Sequence, residues 1–354
     1  MIENRGLFFL VFFAGSFALS YFLTYAVRRL ALHLQINDVP DAERKIHDRV
    51  LPKLGGLSLF FTFTLGALIL ALTGGADELS LLKLAGIVVG GAIIVLGGVL
   101  DDKYDLPAWL QICFPTAAAL LVVICGTHIS YITNPLGGPI VLDQYKVLGY
   151  PVFGSLFVFL WIMGLTYTTK FLDGMDGLVS GISGIAAVAI FALSLAPEVN
   201  QTSTALLALV FAGAAFGFLP HNFYPAKIFL GEGGSTYTGF MIASLAVISG
   251  GKIATALLVL GIPILDAAWV IVKRLWFRSS PFVGDKRHLH FRLLDIGLSQ
   301  RQSVVILYLF AAAFGGIAVF LQSYGKLIAL LALSGLMVAI ILVVALLYRR
   351  KNPR

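Results

Sequence analysis

Eleven apolar stretches cover most of this 354-residue chain, and nearly all of its charge sits in the short gaps between them. With 59% hydrophobic and only 12% charged residues, a soluble fold of this length could not hide so much apolar surface, so the chain reads as a polytopic membrane protein. A helical crossing takes about 20 apolar residues, and a helix satisfies its own backbone in hydrocarbon. The stretches fall at 7–27, 55–73, 84–100, 109–126, 151–168, 177–196, 204–220, 235–250, 254–272, 304–321 and 327–347. The expected fold class is all-α, with about eleven transmembrane helices in one integral membrane domain spanning 1–354. Two stretches fit least well: 109–126 carries Gln111 and Pro115, and 235–250 is short with a polar start.

The net charge of +7 could suggest nucleic acid, but the basic residues sort by side of the membrane instead. Of 25 Lys and Arg residues, 20 lie in alternate gaps and the tail 349–354, and five on the other side. The positive-inside rule then puts the N-terminus outside and the C-terminus in the cytoplasm, in a multi-pass protein of the cell's inner (plasma) membrane. Attraction to anionic lipid or substrate comes second. The first stretch is too long for a signal peptide's apolar region and is followed by Arg28 and Arg29, so it is expected to stay as a helix. Cys113 and Cys125 share one stretch and read as apolar packing. Outside loops are short and plain except 127–150, where two apolar runs flank a Gly/Pro turn at 134–139; this predicts a β-hairpin.

The cytoplasmic gaps carry the chemistry. Asp101 and Asp102 sit where the third stretch meets water, and acids at a helix C-terminus oppose its dipole. They could hold Mg²⁺, or one could act as a base while its neighbour raises its pKa; a solvated helix end with Lys103 as partner is the plain alternative. Asp173-Gly174-Met175-Asp176-Gly177 places two carboxylates three apart beside Lys170. There Asp176 could serve as an N-cap, and the glycines allow close approach of a nucleotide or sugar. Gly231-Glu232-Gly233-Gly234-Ser235 opens the eighth helix as an anion-binding turn or as a flexible turn capped by Ser235. His288, His290 and Arg292 form a basic loop that could grip a diphosphate. Asp266 lies inside the ninth stretch, a costly place for an acid, where it either orients cations in the site or makes a structural hydrogen bond.

In this order the segments RKIHDRVLPKLGGL (44–57), LDDKYDL (100–106), FLDGMDGL (171–178), NFYPAKIFLGEGGS (222–235), GIPILDAAW (261–269) and DKRHLHFRLL (285–294) resemble the polyprenyl-phosphate N-acetylhexosamine-1-phosphate transferase superfamily, the MraY/WecA group. The HLHFRLL loop is more similar to the WecA/TagO-like branch than to the peptidoglycan branch. The resemblance implies that a polyprenyl (undecaprenyl) phosphate attacks the β-phosphorus of a UDP-N-acetylhexosamine, most simply UDP-GlcNAc, releasing UMP with Mg²⁺ or Mn²⁺ as cofactor. It implies Asp101 and Asp102 as catalytic residues and metal ligands and Glu232 as a further ligand. Lys45, His47, Lys170, Asp173, Gly174, Met175, Asp176, His288, His290 and Arg292 would bind the sugar nucleotide.

Three departures from the family's pattern stand out. Tyr167 and Lys170 replace two Asn, Glu232 replaces the Asp of Gly-Asp-x-Gly-Ser, and the His-x-His-His loop ends in Phe291. They mark a divergent branch and leave the sugar open. The same chemistry with UDP-MurNAc-pentapeptide, a polyprenyl-lipid transporter and a lost activity are the alternatives. Expected partners are the UDP-sugar, the lipid phosphate and the membrane, not nucleic acid; a homodimer is left open.

Overall fold

The computed structural model describes residues 3–38, 50–73, 80–134, 137–197, 199–250, 253–276 and 288–351. The chain is an all-α polytopic membrane protein. Its helices are α1 (Glu3–His33), α2 (Gly55–Leu72), α3 (Leu81–Tyr104), α4 (Ala108–Ile124), α5 (Val152–Leu172), α6 (Leu178–Ser194), α7 (Thr202–Asn222), α8 (Gly231–Ile248), α9 (Ile253–Val259), α10 (Gly261–Trp276), α11 (Leu289–Asp295), α12 (Gln300–Phe320) and α13 (Ser323–Lys351). Every one of the apolar stretches forms helix. By length and composition alone, six described helices could cross a membrane, or seven if the bent pair α9–α10 is one span.

That pair is one difference from the single helix expected over 254–272. The chain bends by 80° between α9 and α10. Pro263, in the first turn of α10, has no N–H to continue the α9 ladder, so the helix restarts instead of continuing. A second difference is α11, a short helix in what reads as a loop.

The core lies around α7 and α8. The apolar window of α7 is 83% buried, against 11% for α1, whose Leu10, Val11 and Phe22 stay exposed where lipid would cover them. Helix α7 packs against α1, α2 and α6, and α8 against α3, α5 and α2. Without an apolar gain between helices in lipid, close backbone approach is what holds such contacts. A Cβ on Gly98 of α3 would sit 2.0 Å from Cα of Gly233, and one on Gly56 of α2 would sit 2.4 Å from Cα of Gly234. These contacts draw α2 and α3 onto the first turn of α8.

The predicted hairpin is present: β3 (Tyr131–Thr133) pairs antiparallel with β4 (Pro139–Val141). A second hairpin, β5 (Lys146–Val147) with β6 (Tyr150–Pro151), leads into α5. At the opposite end, β1 (Asn37–Asp38) pairs with β2 (Leu51–Pro52). Segment 52–56 then runs beside 229–230: Phe229 N donates to Pro52 O (2.9 Å) and Gly56 N donates to Leu230 O (2.9 Å).

Candidate active site

A cavity of about 380 Å³ opens at the end of the bundle where α3, α5 and α7 finish and α8 and α12 begin. Six carboxylates line it (Asp38, Asp101, Asp102, Asp173, Asp176 and Glu232) against two lysines, Lys53 and Lys170. Burial and mutual repulsion push the Asp102 carboxyl up to about 7 and the Asp173 carboxyl up to about 8.

The last turn of α3 delivers both Asp101 and Asp102, because the chain turns away at Asp105 in a left-handed conformation (φ 52°). Oδ1 of Asp101 accepts from Leu106 N and Gln111 Nε2, both at 2.9 Å. Asp102 reaches across to α8, where its Oδ2 accepts the Glu232 amide at 3.0 Å. The first-turn N–H groups of α8 thus stabilise an acid whose own helix dipole opposes it. Lys53 Nζ lies 3.7 Å from Asp102 Oδ1 and 3.1 Å from Asp38 Oδ1. Burial works against the Lys53 charge, but Asp102 and Asp38 outweigh it and hold the pKa above its ordinary value. Lys103, the expected local partner of the aspartates, lies over the Tyr104 ring instead.

On the opposite wall, Lys170 Nζ meets Glu232 Oε1 at 2.5 Å and donates to Gln111 Oε1 at 3.0 Å. Burial pushes the Glu232 carboxyl above its ordinary range, and Lys170 pulls it part of the way back. Glu232 lies inside the first turn of α8, not in a turn before it. Ser235 is likewise helical, donating to Gly231 O, and is not an N-cap.

The 173–177 turn forms the floor. The Asp173 side chain faces the cavity's own space, yet protein encloses it closely enough to push its carboxyl up to about 8. Burial is the main cause, with repulsion from Glu232, Asp102 and Asp176 added. No described residue pairs with that carboxylate. Asp176 is not an N-cap: Gly177 holds that position, and Asp176 Oδ2 accepts from Ala226 N at 2.9 Å. The Gly177 amide is taken instead by Oδ1 of Asn222, which also accepts from Ser180 Oγ.

His288 and His290 lie behind this floor and Arg292 further along α11; none of the three lines the cavity, whereas Phe291 does. Asp266 Oδ2 holds His288 Nδ1 at 2.8 Å and its Oδ1 accepts the Leu289 amide, so the acid within α10 positions a histidine and the start of α11. The His288 and His290 rings stack in parallel at 5.6 Å. His290 is 1% exposed, and burial with its neighbour His288 lowers its pKa to about 3, leaving a neutral ring.

The structure thus gathers Asp101, Asp102, Lys170, Asp173, Gly174, Met175, Asp176 and Glu232 around one space. Lys45 and His47 lie outside the described residues. Asp38, Lys53, Gln111 and Asn222 were not singled out from sequence. Lys53 and Asn222 fall inside motif segments, and Gln111 is a polar residue in an apolar stretch, so each carried some signal; Asp38 carried none.

Among the described residues no three His, Cys, Asp or Glu side chains form a ready-made metal cage. Mg²⁺ does not need one, since it takes one or two carboxylates and completes its shell with water and substrate phosphate. Asp101, Asp102 and Glu232, with one oxygen each held in place, fit that requirement.

Glycosyl transferase family 4 matches residues 84–250, a span containing Asp101, Asp102, Lys170, Asp173, Asp176 and Glu232. Similar proteins include the "Probable undecaprenyl-phosphate N-acetylglucosaminyl 1-phosphate transferase" of Bacillus subtilis, 31% identical over 91% of this chain and 87% of that protein. The "Decaprenyl-phosphate N-acetylglucosaminephosphotransferase" of Mycobacterium tuberculosis is 33% identical over 84% of this chain and 79% of its own length. The "Undecaprenyl-phosphate alpha-N-acetylglucosaminyl 1-phosphate transferase" of Salmonella typhi is 25% identical over 83% and 79%. With this breadth of match, and the motif acids lining one cavity, the chain belongs to the polyprenyl-phosphate N-acetylhexosamine-1-phosphate transferase superfamily.

Proposed function

We propose that the protein transfers N-acetylglucosamine-1-phosphate from UDP-GlcNAc to a polyprenyl phosphate in the plasma membrane, releasing UMP. The names of its relatives support the sugar and the lipid class. The observation that carries the reading is the convergence of Asp101, Asp102, Lys170, Asp173, Asp176 and Glu232 on one cavity at the end of the bundle. A transporter for the same lipid has no use for such a cluster in one terminal cavity.

Phosphoryl transfer asks mainly for positioning and charge neutralisation. An oxygen of the lipid phosphate attacks the β-phosphorus of the donor, and the bond between that phosphorus and the oxygen bridging to the α-phosphate breaks. UMP leaves with the bridging oxygen. Asp101 and Asp102 face the space where the lipid phosphate would meet the donor; one removes its proton or keeps it ionised. Lys53 and Lys170 bring positive charge to the phosphates. Asp173 and Asp176, with the bare backbone of Gly174, hold the nucleotide sugar. Asp101, Asp102 and Glu232 would hold Mg²⁺ or Mn²⁺, which when bound offsets the charge on the phosphate oxygens. The cavity would face the cytoplasm, where the basic gaps are read to lie.

The test is UMP release by purified protein from UDP-GlcNAc with undecaprenyl phosphate and Mg²⁺. Release should need the lipid and the cation, and Asp101→Asn and Asp102→Asn should each lower kcat by about 10²-fold or more. Release without lipid, or variants as active as the parent, would sink the reading.

A further inference from the structure

Tyr167, Lys170 and Glu232 are neighbours in space. Lys170 Nζ is 2.5 Å from Glu232 Oε1, and 5.9 Å from the centre of the Tyr167 ring. Glu232 and Tyr167 line one small recess beside the main cavity, together with Gln111 and Asp101. The three side chains therefore form one cluster. A fourth member, Gln111, ties it to the catalytic acids: its Oε1 accepts from Lys170 while its Nε2 donates to Asp101 at 2.9 Å.

The position of the ammonium matters. An unpaired carboxylate in a partly buried, acid-rich recess is costly, so Glu232 needs a positive partner. Lys170 provides it on the carboxylate that also faces the proposed cation position. The Lys170 and Glu232 side chains remain 23% and 22% exposed, so the pair can be reached and exchanged from the cavity. A divalent cation binding to Glu232 must displace or repel this ammonium. Once displaced, Lys170 still lines the cavity, where the strongest remaining acceptors would be the oxygens of a bound diphosphate.

We propose that Lys170 is a built-in competing cation: it holds Glu232 while no divalent ion is present and is handed over to the donor's diphosphate when one binds. Cation binding and donor binding are thereby coupled through a single side chain. The proposal rests on the reading of Asp101, Asp102 and Glu232 as the cation's position.

The experiment measures Mn²⁺ binding by electron paramagnetic resonance on the full-length purified protein, without donor or lipid. The proteins compared are wild type, Lys170→Met, Lys170→Gln and Glu232→Gln. Removing Lys170 should tighten Mn²⁺ binding by about fivefold or more, the upper end of what a partly exposed ion pair holds. A lysine that only grips phosphate or props up the fold would leave it unchanged or weaken it. The same variants, titrated with UDP-GlcNAc by calorimetry in saturating Mg²⁺, should bind it more weakly. Lys170→Gln keeps a polar group for Gln111 and Glu232 and covers the case in which methionine disturbs the fold. If Glu232→Gln weakens Mn²⁺ binding but the Lys170 variants do not tighten it, the competition is wrong and the cation position stands. If Glu232→Gln leaves Mn²⁺ binding unchanged, or no protein in the series binds Mn²⁺, that position is misassigned and the proposal falls with it. Unaltered UDP-GlcNAc affinity in both Lys170 variants would overturn the hand-over.

Discussion

A methyl group at position 174 would lie 2.4 Å from His290 Nε2 and 2.9 Å from Phe291 Cζ, so the cavity floor and α11 meet only because residue 174 is glycine. Gly174→Ala should push α11 outward, cost roughly 1–3 kcal/mol as an overpacked contact, and raise the KM for the sugar nucleotide more than it lowers kcat. A thermal melt and steady-state kinetics check this; an unchanged melt and KM would mean the floor yields freely. Asp173 makes a prediction about pH. Its folded pKa of about 8 lies above the ordinary 3.8, so folding takes up a proton between those values. Stability is then greatest below about pH 4 for this group and falls as pH rises through about 8. The cation-free protein should melt lower at pH 8.5 than at pH 6.5, and Asp173→Asn should flatten that slope; identical slopes would remove Asp173 as its source. The cavity acids were legible in the sequence because charge interrupts an apolar pattern there. Their partners were less so: Gln111 and Lys170 are 59 residues apart, and Gly177 and Asn222 are 45 apart, so no local spacing announces them. The N-cap alternative for Asp176 falls, since Gly177 holds the cap position and the Asp176 carboxylate takes the Ala226 amide.

Helix contacts decide whether those side chains meet. The Asp102 bond to the Glu232 amide exists because Gly98 and Gly233 let the backbones of α3 and α8 touch. Gly98→Ala places a Cβ against backbone that cannot rotate aside, so the helices must separate. The expected result is a loss of about 1–3 kcal/mol or more with a fall in kcat, because Asp102 and the Glu232 amide move apart. Gly164→Ala, with nothing within 4 Å of its added carbon, is the matched control and should be neutral or gain up to about 1 kcal/mol. Equal melts and rates for both variants would show that the contact does not set the site. The helices themselves were readable from length and polarity, since a buried backbone must bond to itself. The break at α9–α10 was not, because a proline near a helix start and a proline that bends a helix look alike in one sequence. The β-hairpin at 131–141 was readable because its turn residues have few other uses.

At the scale of the whole molecule, what remains to be fixed is which face carries the cavity. Helix α8 starts at the cavity with Gly231, so Ile248 lies at the far end. By Asp266 the chain is back beside His288, just behind the cavity floor. The 80° break between α9 and α10 suits a broken span or a re-entrant segment, and we read the pair as one crossing. With the eleven crossings expected from the sequence, the two termini would lie on opposite sides, and the excess of Lys and Arg predicts that the cavity side is cytoplasmic. A nucleotide sugar is too polar to cross the bilayer, so under the proposed function the cavity would open on the side where such donors are made. The check is labelling with a membrane-impermeant maleimide, in a background carrying Cys113→Ala and Cys125→Ala. Lys103→Cys, at the exposed cavity end of α3, should react only in inverted vesicles. Tyr145→Cys, 66% exposed between the two far-side hairpins, should react in intact cells. The reverse pattern would turn the molecule over and place the acid cavity away from its donor. Labelling of both sites from one side would instead mean that α4, the one helix between them, does not cross.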